Sequence, residues 1–68
     1  MFYYILSPNT KNKNSVGKVV ARHKCLTLTK RHRTVIEKGS SFKMIIVKSE
    51  KEKHKNSNMM SEDVVEYC

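Results

Sequence analysis

Residues 16–38 read VGKVVARHKCLTLTKRHRTVIEK, and the secondary structure they adopt decides the fold of this chain. Gly17 opens a β-branched pair, Val19 and Val20, after which Ala21, His23 and Cys25 alternate with Arg22, Lys24 and Leu26. A period of two with branched side chains marks a strand whose two faces differ. CLTLT keeps the period, and beyond the KRHR cluster the triplet TVI has strand propensity again. Two short strands with a basic outward face are therefore expected. No window carries apolar residues at three- and four-residue spacing over the length a helix needs, so a helical bundle is not expected.

On the N-terminal side, SPNTKNKNS (residues 7–15) combines Pro8 with three asparagines and two lysines and no apolar residue, an extended and solvated basic loop. The preceding MFYYIL is too short for a secretory or membrane-spanning segment and suits a first strand. On the C-terminal side, Gly39, Ser40 and Ser41 signal a turn, so TVIEKGSSFKMIIV (residues 34–47) reads as a hairpin with FKMIIVK at the centre of the core. SEKEKHKNSN (residues 49–58) reads as an exposed loop with a solvated His54. Met59, Met60, Val64, Val65 and Tyr67 supply a last short strand or helical turn over the barrel mouth. The expected fold is all-β: a small, partly open OB-like barrel of short antiparallel strands with an extended basic N-terminal loop. Residues 1–15 form the N-terminal strand and loop. Residues 16–68 form the single barrel, ending in an acidic segment, with Val19, Ala21, Val35, Met44, Ile46 and Val65 in its core.

A chain of 68 residues buries only about 60% of its unfolded surface, which leaves little room for an enclosed active site. Its formal charge of +8 favours a polyanionic partner. The charge is also concentrated. Lys11, Lys13, Lys18, Arg22, Lys24, Lys30, Arg31, Arg33 and Lys38 face one acid, Glu37, between residues 9 and 38, whereas residues 59–68 hold Glu62, Asp63 and Glu66 and no base. A solvated strand face would mix acids among its bases, and an anionic membrane would call for a basic amphipathic helix or a lipidation signal, neither of which the sequence offers. Nucleic acid is the expected partner. Phe2, Tyr3, Tyr4, Phe42 and Tyr67 sit at element ends or in apolar runs, which suits packing better than base stacking and points to folded RNA read through its backbone and shape.

Other chemistry finds weaker support. His23, Cys25, His32 and His54 are metal-ligand types without the paired spacing of a zinc site. Cys25 has basic neighbours but neither a pocket nor a positioned base, and with only Gly17 and Gly39 there is no phosphate-cradling glycine loop. No catalytic residue, metal, cofactor or small-molecule substrate is expected. Cys25 and Cys68 are expected as free thiols in a reducing compartment.

NSVGKVVARHK (residues 14–24) followed by KRHRTVIE (residues 30–37) resembles the amino-terminal OB-like barrel of the universal large-subunit ribosomal protein number two family. That pattern runs from an asparagine-rich basic loop (Asn12 to Ser15) through Gly17, Lys18, the aliphatics Val19 to Ala21 and the pair Arg22-His23. It continues into a basic cluster (Lys30 to Arg33) and a strand ending in an acid (Val35 to Glu37). GSS, MIIVKSE and Lys55-Asn56-Ser57-Asn58 follow in the family's order, so the likeness spans most of residues 9–60. The family's three glycines after Arg-His are replaced by Cys25, Leu26 and Thr27, and its second barrel and tail lie outside the matched residues. The resemblance implies a structural constituent of the large ribosomal subunit, in an organellar and specifically mitochondrial ribosome, with a cytoplasmic location as the alternative. Its partners would be ribosomal RNA, neighbouring ribosomal proteins and, as an option, a second polypeptide completing the family fold. No membrane partner is expected. Lys18, Arg22, His23, Lys24, Lys30, Arg31 and Arg33 would meet phosphates and grooves, Lys11 and Lys13 would thread a loop into RNA, and Lys55 would add a contact from the far loop. The alternatives are a free-standing regulatory RNA- or DNA-binding module, or a short orphan or viral protein that folds on a protein partner through its Met-rich end.

Overall fold

The computed structural model describes residues 1–8, 13–40 and 43–68. Five strands form one sheet: β1 (Phe2–Ser7), β2 (Ser15–His23), β3 (Ile45–Ser49), β4 (Asn58–Met60) and β5 (Glu66–Tyr67). They lie in the order β4-β2-β1-β3-β5, and every neighbouring pair is antiparallel. A helix, α1 (Leu26–Lys38), connects β2 to β3 and crosses one face of the sheet, and a short 3-10 turn (Ser61–Asp63) connects β4 to β5. That last connection forces the sheet to curl. Two flat edges four strand spacings apart would be about 19 Å distant, and a link of five residues, three of them in a 3-10 turn, reaches only about 16 Å. The result is the small, partly open barrel expected from the sequence, curled into a half-barrel, with one helix added.

The hydrophobic N-terminal stretch is the central strand. Tyr4, Ile5 and Leu6 are fully buried because β1 is covered on both faces and paired on both edges. Side chains alternate along it, so Phe2, Tyr4 and Leu6 point into the half-barrel, where Val19, Val47 and Met59 complete the core and Val16, Ile45 and Val64 pack around it. Tyr3, Ile5 and Ser7 point the other way, and Ile5 with its partner Ile46 is buried beneath α1. Of the six expected core residues, Val19 and Ile46 are buried, and Ala21 and Met44 are half-buried. Val35 and Val65 are exposed, at 65% and 56%, one on the outer side of α1 and the other just before the edge strand β5.

Of the two strands expected across residues 16–38 the first stands as β2; α1 takes the place of its continuation through CLTLT, of the second strand at TVI, and so of the hairpin that TVI would form with the segment that is β3. The helix positions turned towards the sheet are Leu26, Thr29, His32, Arg33, Ile36 and Glu37, and every other helical residue is exposed. This is a regular three- and four-residue spacing, but four of its six positions are Thr, His, Arg and Glu, so apolar periodicity does not mark it. Thr29 fits the buried seam by donating its hydroxyl to the Cys25 carbonyl at 2.7 Å, which satisfies its one polar group locally. The helix stops at Gly39, whose N–H donates to the Ile36 carbonyl at 3.1 Å. Glu37 then accepts the Met44 N–H at 3.0 Å and ties the end of α1 to the start of β3.

Residues 50–57, expected as an exposed loop, are anchored from beneath. The buried Tyr4 hydroxyl donates to the Lys51 carbonyl at 2.5 Å and accepts the Lys53 N–H at 2.9 Å. Lys53 pairs with Asp63 at 2.9 Å, and Ser49, fully buried, donates to the Asp63 carbonyl at 2.7 Å. Tyr4→Phe removes both partners of the loop backbone at no change in shape. Leaving those groups unsatisfied costs about 1–3 kcal/mol. A fall of roughly 4–8 °C in thermal midpoint per kcal/mol is expected for a domain of this size, to be read by circular dichroism.

Candidate nucleic-acid interface

The expected basic strand face is divided by one residue. Between Ile5 and Leu6 of β1 the register of β2 slips, with Ile5 opposite Ala21 and Leu6 opposite Val19, so Val20 is the extra residue of a bulge. Directly opposed residues share a face. Lys18 therefore lies with Ser7 on the side of α1, as do Ala21 and His23, whereas Arg22 lies with Tyr4 on the side of the half-barrel interior. At the rim of that side the Arg22 guanidinium rests 4.7 Å above the Phe2 ring and pairs with Glu52 at 3.3 Å. Lys18 and Arg22, four apart in sequence, are on opposite sides of the sheet.

The bases that do converge are on α1. Successive helical residues turn by 100°, which places Lys30, Thr34, Lys38, Arg31, Val35 and Leu28 in that order around one exposed arc. No acid falls on it. Glu37, the single acid between residues 9 and 38, faces the sheet, where its carboxylate holds the Met44 N–H and lies 4.0 Å from Arg33 Nε. Arg33 is thereby drawn to the inner edge of the helix as half of an ion pair without a hydrogen bond. Among the described residues the ion pairs engage Arg22, Arg33 and Lys53, and they leave Lys30, Arg31 and Lys38 without one. Lys24 is exposed at the bend that leads into the helix. Leu28 and Val35 are exposed on the same arc, at 52% and 65%.

The remaining expected contacts are scattered. Lys11 lies outside the described residues, Lys13 is exposed in the turn before β2, and Lys55 is exposed in the turn before β4. His23 is half-buried, with its Nε2 2.7 Å from His32 Nδ1 and the two rings edge to face at 5.0 Å. That bond needs one ring to donate and the other to accept, so it fastens α1 to β2 rather than offering either histidine to a ligand. Lys38 belongs to the arc although it is not among the contacts expected from the sequence. The signal for it was the Lys30-Thr34-Lys38 spacing of four, which has meaning only once the segment is known to be helical.

Cys25, expected on a strand, begins α1 instead and is exposed. The thiol caps no backbone N–H. Its thiolate faces the N–H groups of Leu28 and Thr27 at the open start of the helix, and these hold its pKa below the ordinary thiol value. Lowering the pKa raises the thiolate fraction at neutral pH. Iodoacetamide is expected to label Cys25 faster than Cys68 at pH 7, and peptide mass spectrometry after a timed quench gives the two rates; equal rates would refute this assignment.

Among the described residues, no group of three or more His, Cys, Asp or Glu side chains is arranged to hold a metal ion. No described helix is long and apolar enough to cross a membrane. No family model, no curated protein and no solved structure matches this chain.

Proposed function

We propose that this chain is a structural RNA-binding module that grips the phosphate backbone of folded RNA with the exposed arc of α1. The observation that carries this reading is the row of Lys30, Arg31 and Lys38 on that arc, free of acids and of ion pairs among the described residues. Three cations along a helix about 20 Å long match successive phosphates, and a helix too broad for the deep groove of A-form RNA would lie along its rim. The ribosomal resemblance makes large-subunit ribosomal RNA, in a mitochondrial ribosome, the first RNA to test. The segment that in that family is a strand ending in an acid is here the second half of α1, so the support comes from the order of charged residues and not from their secondary structure.

The binding test is fluorescence anisotropy of the whole chain on a labelled ribosomal RNA hairpin from 50 to 200 mM KCl. Three phosphate contacts give a slope of log K against log salt of about −3, and a slope near zero would refute the reading. Sedimentation of tagged protein through a sucrose gradient, with and without RNase, separates a ribosomal constituent, which runs with the large subunit until RNase releases it, from a free-standing module, which stays at the top. The exposed Leu28 and Val35 on the same arc favour one second reading, an anionic bilayer surface. Binding to phosphatidylserine vesicles with none to the hairpin would establish it.

A further inference from the structure

A second concentration of positive charge lies across the sheet from α1, at the open edge of the half-barrel. There a cleft of about 330 Å³ separates residues 19–22 of β2 from residues 53–55 of the loop that leads into β4. The chain builds this gap with two devices. The last backbone bonds between β2 and the incoming chain are Val19 N–H to the Ser57 carbonyl at 2.8 Å and Asn56 N–H to the Val19 carbonyl at 2.9 Å, immediately before the Val20 bulge changes the course of β2. On the other side Asn56 takes a left-handed conformation, with φ of 72°, inside a turn closed by the Ser57 N–H on the His54 carbonyl at 3.1 Å, and this turns residues 53–55 away from the strand.

The cleft is lined by Val19, Val20 and Ala21 together with four basic residues, Arg22, Lys53, His54 and Lys55, and by no acid. Their states differ. The Lys53 ammonium is already paired with Asp63. Lys55 has no ion pair among the described residues. Arg22 is held in place by the Phe2 ring and touches Glu52 through Nη1 at 3.3 Å, a long contact to a side chain that is 66% exposed. A guanidinium has five donors in a planar fork suited to two oxygens of one phosphate, and a monodentate carboxylate at that distance occupies one of them.

We propose that this cleft binds a phosphate monoester, taken bidentately by Arg22 and completed by Lys55, with Glu52 as a built-in competitor that swings out when the phosphate enters. A monoester carries a charge of about −1.5 to −2 near neutral pH, which matches two cations better than the single charge of a diester does. The volume stands at the low end of small-ligand sites, about 300–1,000 Å³, and admits one phosphorylated sugar unit with its base towards solvent beside the exposed His54. The phosphate has two sources, a free nucleotide or the 5′ end of an RNA. The proposal uses none of the α1 residues and stands apart from the RNA reading given above.

The test is titration of the whole ¹⁵N-labelled chain with uridine 5′-monophosphate, inorganic phosphate, and a 5′-phosphorylated or 5′-hydroxyl RNA hexamer, followed by amide shifts. Expected are shifts at residues 19–22 and 53–55 with the monophosphate, about tenfold weaker binding in Lys55→Ala, and severalfold tighter binding in Glu52→Gln, where the competitor has lost its charge. Both variants change exposed side chains, and their thermal midpoints check that the fold is intact. Lys30→Glu with Arg31→Glu leaves the shifts that uridine 5′-monophosphate induces at residues 19–22 and 53–55 in place while it weakens RNA binding, so the cleft and the helix fail or succeed separately. A phosphorylated hexamer that binds in the cleft more tightly than the monophosphate identifies RNA ends as the source, and equal affinities identify the free nucleotide. Shifts confined to α1, or an affinity unaltered in both Lys55→Ala and Glu52→Gln, would overturn the proposal.

Discussion

Gly17→Val leaves this chain without a cooperative unfolding transition at 25 °C. Gly17 is buried where β2 runs against the end of β1, and a Cβ there would stand 2.6 Å from the Ser7 carbonyl oxygen and 2.9 Å from Leu6 Cβ. The first of these atoms is backbone and belongs to the central strand, so no rotamer change relieves the overlap. The two strands must separate, and they carry the inward-facing Leu6 and Val19 with them. Overpacking of a well-packed site costs about 1–3 kcal/mol for small additions, and a branched side chain against backbone lies beyond that range. At 0.05–0.15 kcal/mol per residue the whole domain has only about 3–10 kcal/mol to lose. Gly39→Ala is the control, because its Cβ meets only the Ile36 carbonyl at 3.8 Å; it changes stability by no more than about 0.5 kcal/mol. Urea titration followed by circular dichroism compares the two, and a cooperative Gly17→Val transition near the wild-type midpoint would show that β1 and β2 are not packed this way.

The second large effect falls on binding. Lys30→Glu combined with Arg31→Glu weakens the complex with a ribosomal RNA hairpin by on the order of 60-fold at 0.1 M salt, since two phosphate contacts each contribute about 0.9 to the salt exponent. The salt slope falls by about two units in the same variant. Both side chains are exposed and unpaired among the described residues, so the folded state loses nothing by the exchange. The matched control is Arg33→Gln. Arg33 is turned towards Glu37 at the inner edge of the helix, so its loss leaves the salt slope unchanged, although in the sequence it is as basic as its neighbours. Equal losses from the two variants would mean that the RNA meets the KRHR cluster as an unstructured basic run and not as one face of α1.

The contrast between Arg31 and Arg33 shows where sequence reading stops. Local sequence carried the strand character of residues 15–23, the apolar segment around Ile46 and Val47 that became β3, and the excess of positive charge that calls for a polyanion. Each of these depends on near neighbours along the chain: β-branching, alternation, and a sum of charges. From them the small, partly open, antiparallel barrel was legible. The helix at residues 26–38 was not, because the seam it turns towards the sheet uses Thr29, His32, Arg33 and Glu37: Thr29 meets the Cys25 carbonyl, His32 meets His23, Glu37 meets the Met44 N–H, and Arg33 is held beside Glu37 by charge alone.

Tertiary structure alone decided which bases lie on one face. The extra residue Val20 turns Lys18 and Arg22 to opposite sides of the sheet, and nothing in VGKVVARH marks where that residue lies, because a bulge is a property of two strands in register and not of one. Likewise Glu37 is the one acid in a basic run until the fold turns it inward, and the Lys53 ammonium is a free cation until the loop of residues 50–57 brings it to Asp63. The sequence by itself determined a small, strongly basic barrel. Which cations share one exposed face was decided by the bulge and by the facing of α1, since pairing partners 30 or more residues apart, such as Arg22 with Glu52, leave no trace in local pattern.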